Sequence, residues 1–146
     1  MKKSEILNIV HEKLDLKIKT LENLIAETRA SNNETKSSMG DKYETTREMV
    51  QQEINNLQVQ LNENLRAKTV LKNVSTDLQT KVKLGSLVET ENGFFYIAIS
   101  LGDILFNGKK IYLISEESPL AKAMIGFKSG EIYVLNNVKQ KILKIW

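Results

Sequence analysis

Glycine and aromatic residues fall almost entirely in one half of this chain, and that segregation limits its fold more than any other feature. Six of the seven glycines follow residue 80, leaving only Gly40 before it. Of the aromatic residues only Tyr43 precedes residue 80, and the single proline is Pro119. A stretch without turn-formers favours long helices, and one dense in glycine, aromatic and β-branched residues favours short strands and tight turns. The chain therefore reads as two unlike pieces: a helical one over residues 1–80, and a β-rich one over residues 84–146.

In the first piece Leu7, Val10, Leu14, Leu21 and Leu24 recur at alternating steps of three and four that skip Lys17, and Ile6, Ile18 and Ile25 widen the stripe. That spacing predicts an amphipathic helix with coiled-coil character over about residues 4–32. A second run, Val50, Ile54, Leu57, Leu61, Lys68, Leu71 and Leu78, with Leu65 and Val74 beside it, predicts another over about residues 42–80. Between them lies a polar stretch from Arg29 to Gly40, which places the turn near residues 33–44. Neither helix can bury its stripe alone, so the two pair as an antiparallel hairpin. At 1.5 Å per residue, arms of roughly 27 and 38 residues would reach about 40 to 55 Å.

The second piece opens with Leu87–Thr90, an Asn92-Gly93 turn and Phe94–Ile99, a hairpin signature. Ile104–Phe106, Asn107-Gly108 and Lys109–Ile114 repeat it. Ser118-Pro119 is an N-cap followed by proline at the first helical position, Leu120 to Ile125 form a short helix, and Gly126 stands where such helices end. Glu131–Leu135, Asn136-Asn137 and Val138–Trp146 predict a closing strand pair with Ile142 and Ile145 on a buried face. The expected class is α+β: a helical hairpin plus a small antiparallel sheet with one short helix.

The charges exclude several functions. Residues 1–80 carry 12 basic and 12 acidic residues, and residues 81–146 carry 9 and 6, so the net +3 sits on the second piece. That is far from the basic stripe of a duplex-DNA reader, and no direct duplex specificity is expected. With no cysteine, disulfides, iron–sulfur clusters and thiol nucleophiles are excluded. His11 alone cannot build a two-histidine metal site. No apolar run approaches a membrane span, and the charged start Met1-Lys2-Lys3-Ser4-Glu5 is no signal core, so a cytoplasmic protein without membrane association is expected.

A helical hairpin followed by a small FKBP-like sheet domain resembles the Gre family of bacterial transcript-cleavage factors. The segment from Ile114 to Glu131, with Ser115, Ser118-Pro119-Leu120, Gly126, Lys128 and Gly130-Glu131 in register, is similar to that family's strand, Ser-Pro-Leu helix and glycine turn. Gly40-Asp41-Lys42-Tyr43-Glu44 resembles its Gly-Asp-x-x-Glu tip motif. Tyr43 stands where the family usually has Ser, and Thr45-Thr46-Arg47-Glu48 where it has Asn-Ala-Glu-Tyr. The resemblance implies a factor whose hairpin enters the secondary channel of RNA polymerase. The carboxylates of Asp41 and Glu44 would help hold an Mg²⁺ shared with the polymerase centre, and the polymerase would then cleave backtracked RNA. On that reading the chain is not itself an enzyme. It stimulates the polymerase's own endonuclease activity and meets the nascent RNA only indirectly. Ser115, Ser118, Pro119 and Leu120 would face the polymerase.

Other readings stay open. A channel-binding regulator that does not stimulate cleavage uses the same architecture, and so does a coiled-coil, FKBP-like chaperone or scaffold. Asp41-x-x-Glu44 is close to a capping box, and Ser118-Pro119 is a sound helix start without any partner. Phe94, Phe95, Tyr96, Phe106, Phe127 and Tyr133 are expected in the core rather than in a prolyl-isomerase pocket. His11 is expected at the surface, and Lys2, Lys3, Lys13, Lys17 and Lys19 on a solvated face.

Overall fold

The computed structural model describes the backbone of residues 1–36 and 44–146, and the side chains of residues 1–31 and 46–146. Two helices come first, α1 (Lys3–Lys36) and α2 (Glu44–Lys72). Six strands and a short helix follow: β1 (Leu87–Thr90), β2 (Gly93–Ala98), β3 (Gly102–Phe106), β4 (Lys109–Ser115), α3 (Pro119–Met124), β5 (Ile132–Leu135) and β6 (Val138–Ile145). The chain is thus α+β, as its pattern predicts. It divides into two compact units, residues 13–68 and residues 1–12 with 69–146. No helix among the described residues is long and apolar enough to cross a membrane.

In the helical unit each helix buries one stripe: Leu14, Ile18, Leu21 and Ile25 on α1, and Ile54, Leu57 and Leu61 on α2. The Lys68 ammonium meets the Asp15 carboxylate at 2.9 Å. That contact sets the later part of α2 beside the earlier part of α1, the arrangement of an antiparallel pair. Leu24 and Leu65 sit at the margins, partly exposed.

Helix α2 stops well short of residue 80. The Asn73 amide donates back to the Thr69 carbonyl at 3.2 Å, and the Asp77 N–H donates to Ser75 Oγ at 3.1 Å. These side chains give the backbone partners outside the helix, which is why such residues end helices. Leu78, expected on the buried stripe, is 75% exposed.

The sheet has the order β3-β4-β2-β1-β6-β5. It is mixed and not antiparallel throughout, because β2 and β4 run parallel, with Phe95 beside Tyr112 and Ile97 beside Ile114. After β2 the chain goes to the sheet edge, lays down β3, and returns beside β2 as β4. Two of the expected turns form as read. Asn107-Gly108 joins β3 to β4 and Asn136-Asn137 joins β5 to β6, all four residues at φ between 51° and 77°. Positive φ at both loop positions is the primed turn that matches strand twist. In the β1–β2 hairpin Thr90 pairs with Gly93, so the loop is Glu91-Asn92, one residue earlier than expected. In β6 the register skips Leu143, and this bulge puts Ile142 and Ile145 against one core despite their odd spacing.

One sheet face packs on α3 through Val88, Phe95, Ile97, Tyr133 and Ile142, together with Ala121, Met124 and Val82. The other carries Leu87, Tyr96, Ile104, Phe106, Ile111 and Leu113, all buried. Tyr96 is fully buried, and its hydroxyl has no hydrogen-bond partner among the described residues. Burial pushes its pKa up to about 12. The folded state therefore favours the neutral phenol. That stability is complete below about pH 10, the value in an unfolded chain, and is lost as pH rises through about 12. The difference amounts to about 2–3 kcal/mol. Tyr96→Phe is expected to flatten the alkaline decline in urea-unfolding free energy between about pH 10 and pH 12, with no loss at lower pH. An unchanged alkaline decline would assign it to other groups.

Candidate functional site

The segment from Ser115 to Glu131 is built almost entirely by local rules. Ser118 has extended backbone, φ −66° and ψ 149°, and its Oγ accepts from the Ala121 N–H at 3.1 Å. Pro119 fills the first helical position, where no N–H is needed. The Ser118 N–H donates to the Ser115 carbonyl at 3.1 Å, and the Lys122 N–H to the Ser118 carbonyl at 2.9 Å. These bonds fix how α3 leaves β4. After Ile125 the chain turns at Gly126, φ +91°, whose N–H donates to the Val82 carbonyl at 2.9 Å. Val82 N–H answers with a 2.9 Å bond to the Phe127 carbonyl, so α3 is tied to the segment that precedes β1. Lys128 N–H donates to the Glu131 carboxylate at 2.9 Å, and Ser129 Oγ donates to the Leu143 carbonyl at 2.9 Å.

These bonds sort the expected partner-facing residues. Pro119 is exposed, as are Lys122 on α3 and Ile125 at its C-cap. Ser118 is half-buried and spends its hydroxyl on the cap. Ser115 is half-buried at the end of β4. Leu120 packs against the core beside Ala121 and Met124. The exposed ridge is therefore Pro119, Lys122 and Ile125. A Glu117–Lys122 ion pair at 3.6 Å lies in solvent and adds little stability. Glu116 borders an open polar cleft of about 660 Å³ lined also by Asn73, Asp77, Gln79 and Lys83.

Gly40, Asp41 and Tyr43 lie outside the described residues. Glu44 is the first residue of α2, and its side chain lies outside them too. The first turn of a helix favours a carboxylate there. Among the described residues no group of three or more His, Cys, Asp or Glu side chains gathers to hold a metal.

Sequence reasoning missed Lys3. Instead of lying on a solvated face it is buried, and its ammonium donates to the carbonyls of Asp77 at 2.6 Å and Trp146 at 3.2 Å. Burial lowers its pKa, and the Asp77 charge acts in the opposite sense. One side chain thus ties the start of α1 to the segment after α2 and to the end of the sheet. Nothing in the local pattern singles it out from Lys2, which is exposed. His11 is half-buried rather than free at the surface.

No protein-family model matches the chain, and no curated protein matches it. Among solved structures the chain is similar to one described as the transcription factor Gfh1, at 18% identity and TM-score 0.38, covering 92% of this chain and 91% of that one. It is likewise similar to GreA factor homolog 1 (Gfh1) of Thermus thermophilus, at 18% identity and TM-score 0.38, covering 92% and 93%. A third is Thermus aquaticus Gfh1, at 19% identity and TM-score 0.37, covering 92% of each.

Proposed function

We propose that this chain is a transcription factor that binds RNA polymerase in its secondary channel and stimulates cleavage of backtracked RNA by the polymerase. The observation that carries this reading is the Ser118–Gly126 element. Its Ser118-Pro119-Leu120 and Gly126 resemble the Gre family's Ser-Pro-Leu helix and glycine, and its capping and glycine positions leave Pro119, Lys122 and Ile125 as a preorganised exposed ridge. A short rigid helix with a proline start loses little entropy on docking. The antiparallel helical pair supplies the second part, with Asp41 in the sequence that joins the two helices and Glu44 at the start of α2.

Carboxylates three residues apart are hard oxygen donors of the kind Mg²⁺ takes. Bound there, the ion would supply charge stabilisation to the attacking and leaving oxygens of a phosphodiester. The chain's own work is to deliver those carboxylates, which would also orient the attacking water, and to anchor through α3. A second reading, a channel regulator without cleavage stimulation, is favoured by Tyr43 and Thr45-Thr46, which differ from the family's tip residues.

Docking is tested by a pull-down with RNA polymerase. Pro119→Ala combined with Ile125→Asp changes only exposed positions, so the circular dichroism should stay normal. Binding should fall roughly tenfold, the scale of disturbing a small hot spot. Unchanged binding would remove α3 from the interface. Leu120→Asp is unsuitable alone, since Leu120 packs on the core.

A further inference from the structure

The sheet face turned away from α3 ends in the β5–β6 hairpin, and there it is uncovered. Ile132 pairs directly with Lys141, and Val134 with Lys139. Directly opposed residues lie on one face of a sheet, so these four side chains form a small block in which apolar and basic groups alternate. Tyr133, between them in sequence, points the other way into the core with Ala121 and Met124. Ile132 is 55% exposed and Val134 54%. Lys139 and Lys141 are exposed, and neither forms an ion pair among the described residues. Residues 128–146 hold four lysines and one glutamate, so this stretch alone accounts for the chain's net charge of +3. The one glutamate, Glu131, is occupied by the Lys128 N–H.

We propose that the outer face of β5–β6 docks an acidic segment of a partner protein. The segment's aliphatic side chains cover Ile132 and Val134, and its carboxylates pair with Lys139 and Lys141. Charge complementarity selects this occupant. A second copy of the chain would set lysines against lysines, and like charges brought together oppose association. A single-stranded nucleic acid would want rings for its bases to stack on, but this block is aliphatic. The nearby rings are already engaged, with Lys144 over Trp146 at 4.6 Å and Lys109 over Phe94 at 5.1 Å. The surface is separate from the α3 ridge, being on the opposite face of the sheet, and does not depend on the polymerase reading.

The test is an amide NMR titration of the full chain with a synthetic peptide of repeating Asp-Ile-Glu-Leu. Control arms use a Lys-Ile-Lys-Leu peptide, an oligouridine RNA, and the protein concentrated by itself. The acidic peptide should shift the β5 and β6 amides, and added salt should weaken it. Lys139→Glu with Lys141→Glu should weaken it roughly tenfold, and Val134→Ser should weaken it without changing the salt dependence. Thermal melts of each variant check that the fold is kept. Four results would overturn the proposal: no shift at β5–β6, equal binding by the charge-reversed variant, preference for the RNA, or the same shifts on concentration alone.

Discussion

Asp41→Asn with Glu44→Gln is expected to abolish stimulated transcript cleavage while leaving the fold and polymerase binding intact. The pair separates two roles that the same residues can play. As a helix cap, Asp41 would act on stability, and losing a cap costs about 0.5–2 kcal/mol. Asn is as good a cap as Asp, and Gln keeps the capping-box partner, so a purely capping pair would tolerate both changes. Neither substitute carries charge. If the carboxylates act on a metal at the reacting phosphodiester, stimulation should fall on the order of a hundredfold, the scale of removing one electrostatic stabiliser from a reacting centre. The double variant should still compete with the wild-type chain for polymerase. Full cleavage by it would take the chemistry away from these two residues.

Gly85→Ala is expected to be the most damaging single methyl in the sheet-bearing unit. Gly85 has φ +92°, where an L side chain is strained. A Cβ there would also stand 3.0 Å from the Ser75 carbonyl oxygen and 3.5 Å from Val74 Cγ1. The Gly85 N–H donates to the Ile97 carbonyl at 2.7 Å, so the backbone cannot swing away without losing a sheet contact. Strain and crowding together should cost ~2 kcal/mol or more and lower Tm by roughly 10 °C. Gly108→Ala is the control. Gly108 has φ +77° but open space where a Cβ would go, so it carries the strain alone. Its loss should be about half, and equal losses at both sites would show that the approach of Ser75 is irrelevant.

The features legible in the sequence are those with local causes. Asn107-Gly108 and Asn136-Asn137 mark their turns because few residues accept positive φ, and Ser118-Pro119 marks its helix because cap and proline act within one turn. The parallel pairing of β2 with β4 is not legible, since it depends on where the β3–β4 hairpin docks, and no neighbouring residue encodes that. The end of α2 was masked by Leu78, which continues the helical spacing although Asn73 and Ser75 have already drawn the backbone away. Lys3 is the same kind of case, because its two carbonyl partners are more than seventy residues distant. At the candidate site the capping serine could be read, whereas Leu120, expected to face the polymerase, packs against the core beside Ala121 and Met124. The bulge at Leu143, which turns Ile142 and Ile145 to one side, leaves no sign in a simple alternation.

The most direct test of the central claim is a transcript-cleavage assay on stalled, backtracked polymerase complexes with and without the wild-type chain. Stimulated, Mg²⁺-dependent shortening of the RNA from its 3′ end is the predicted result. A chain that binds the polymerase and competes for its secondary channel, yet leaves the transcript uncut, would contradict the cleavage mechanism.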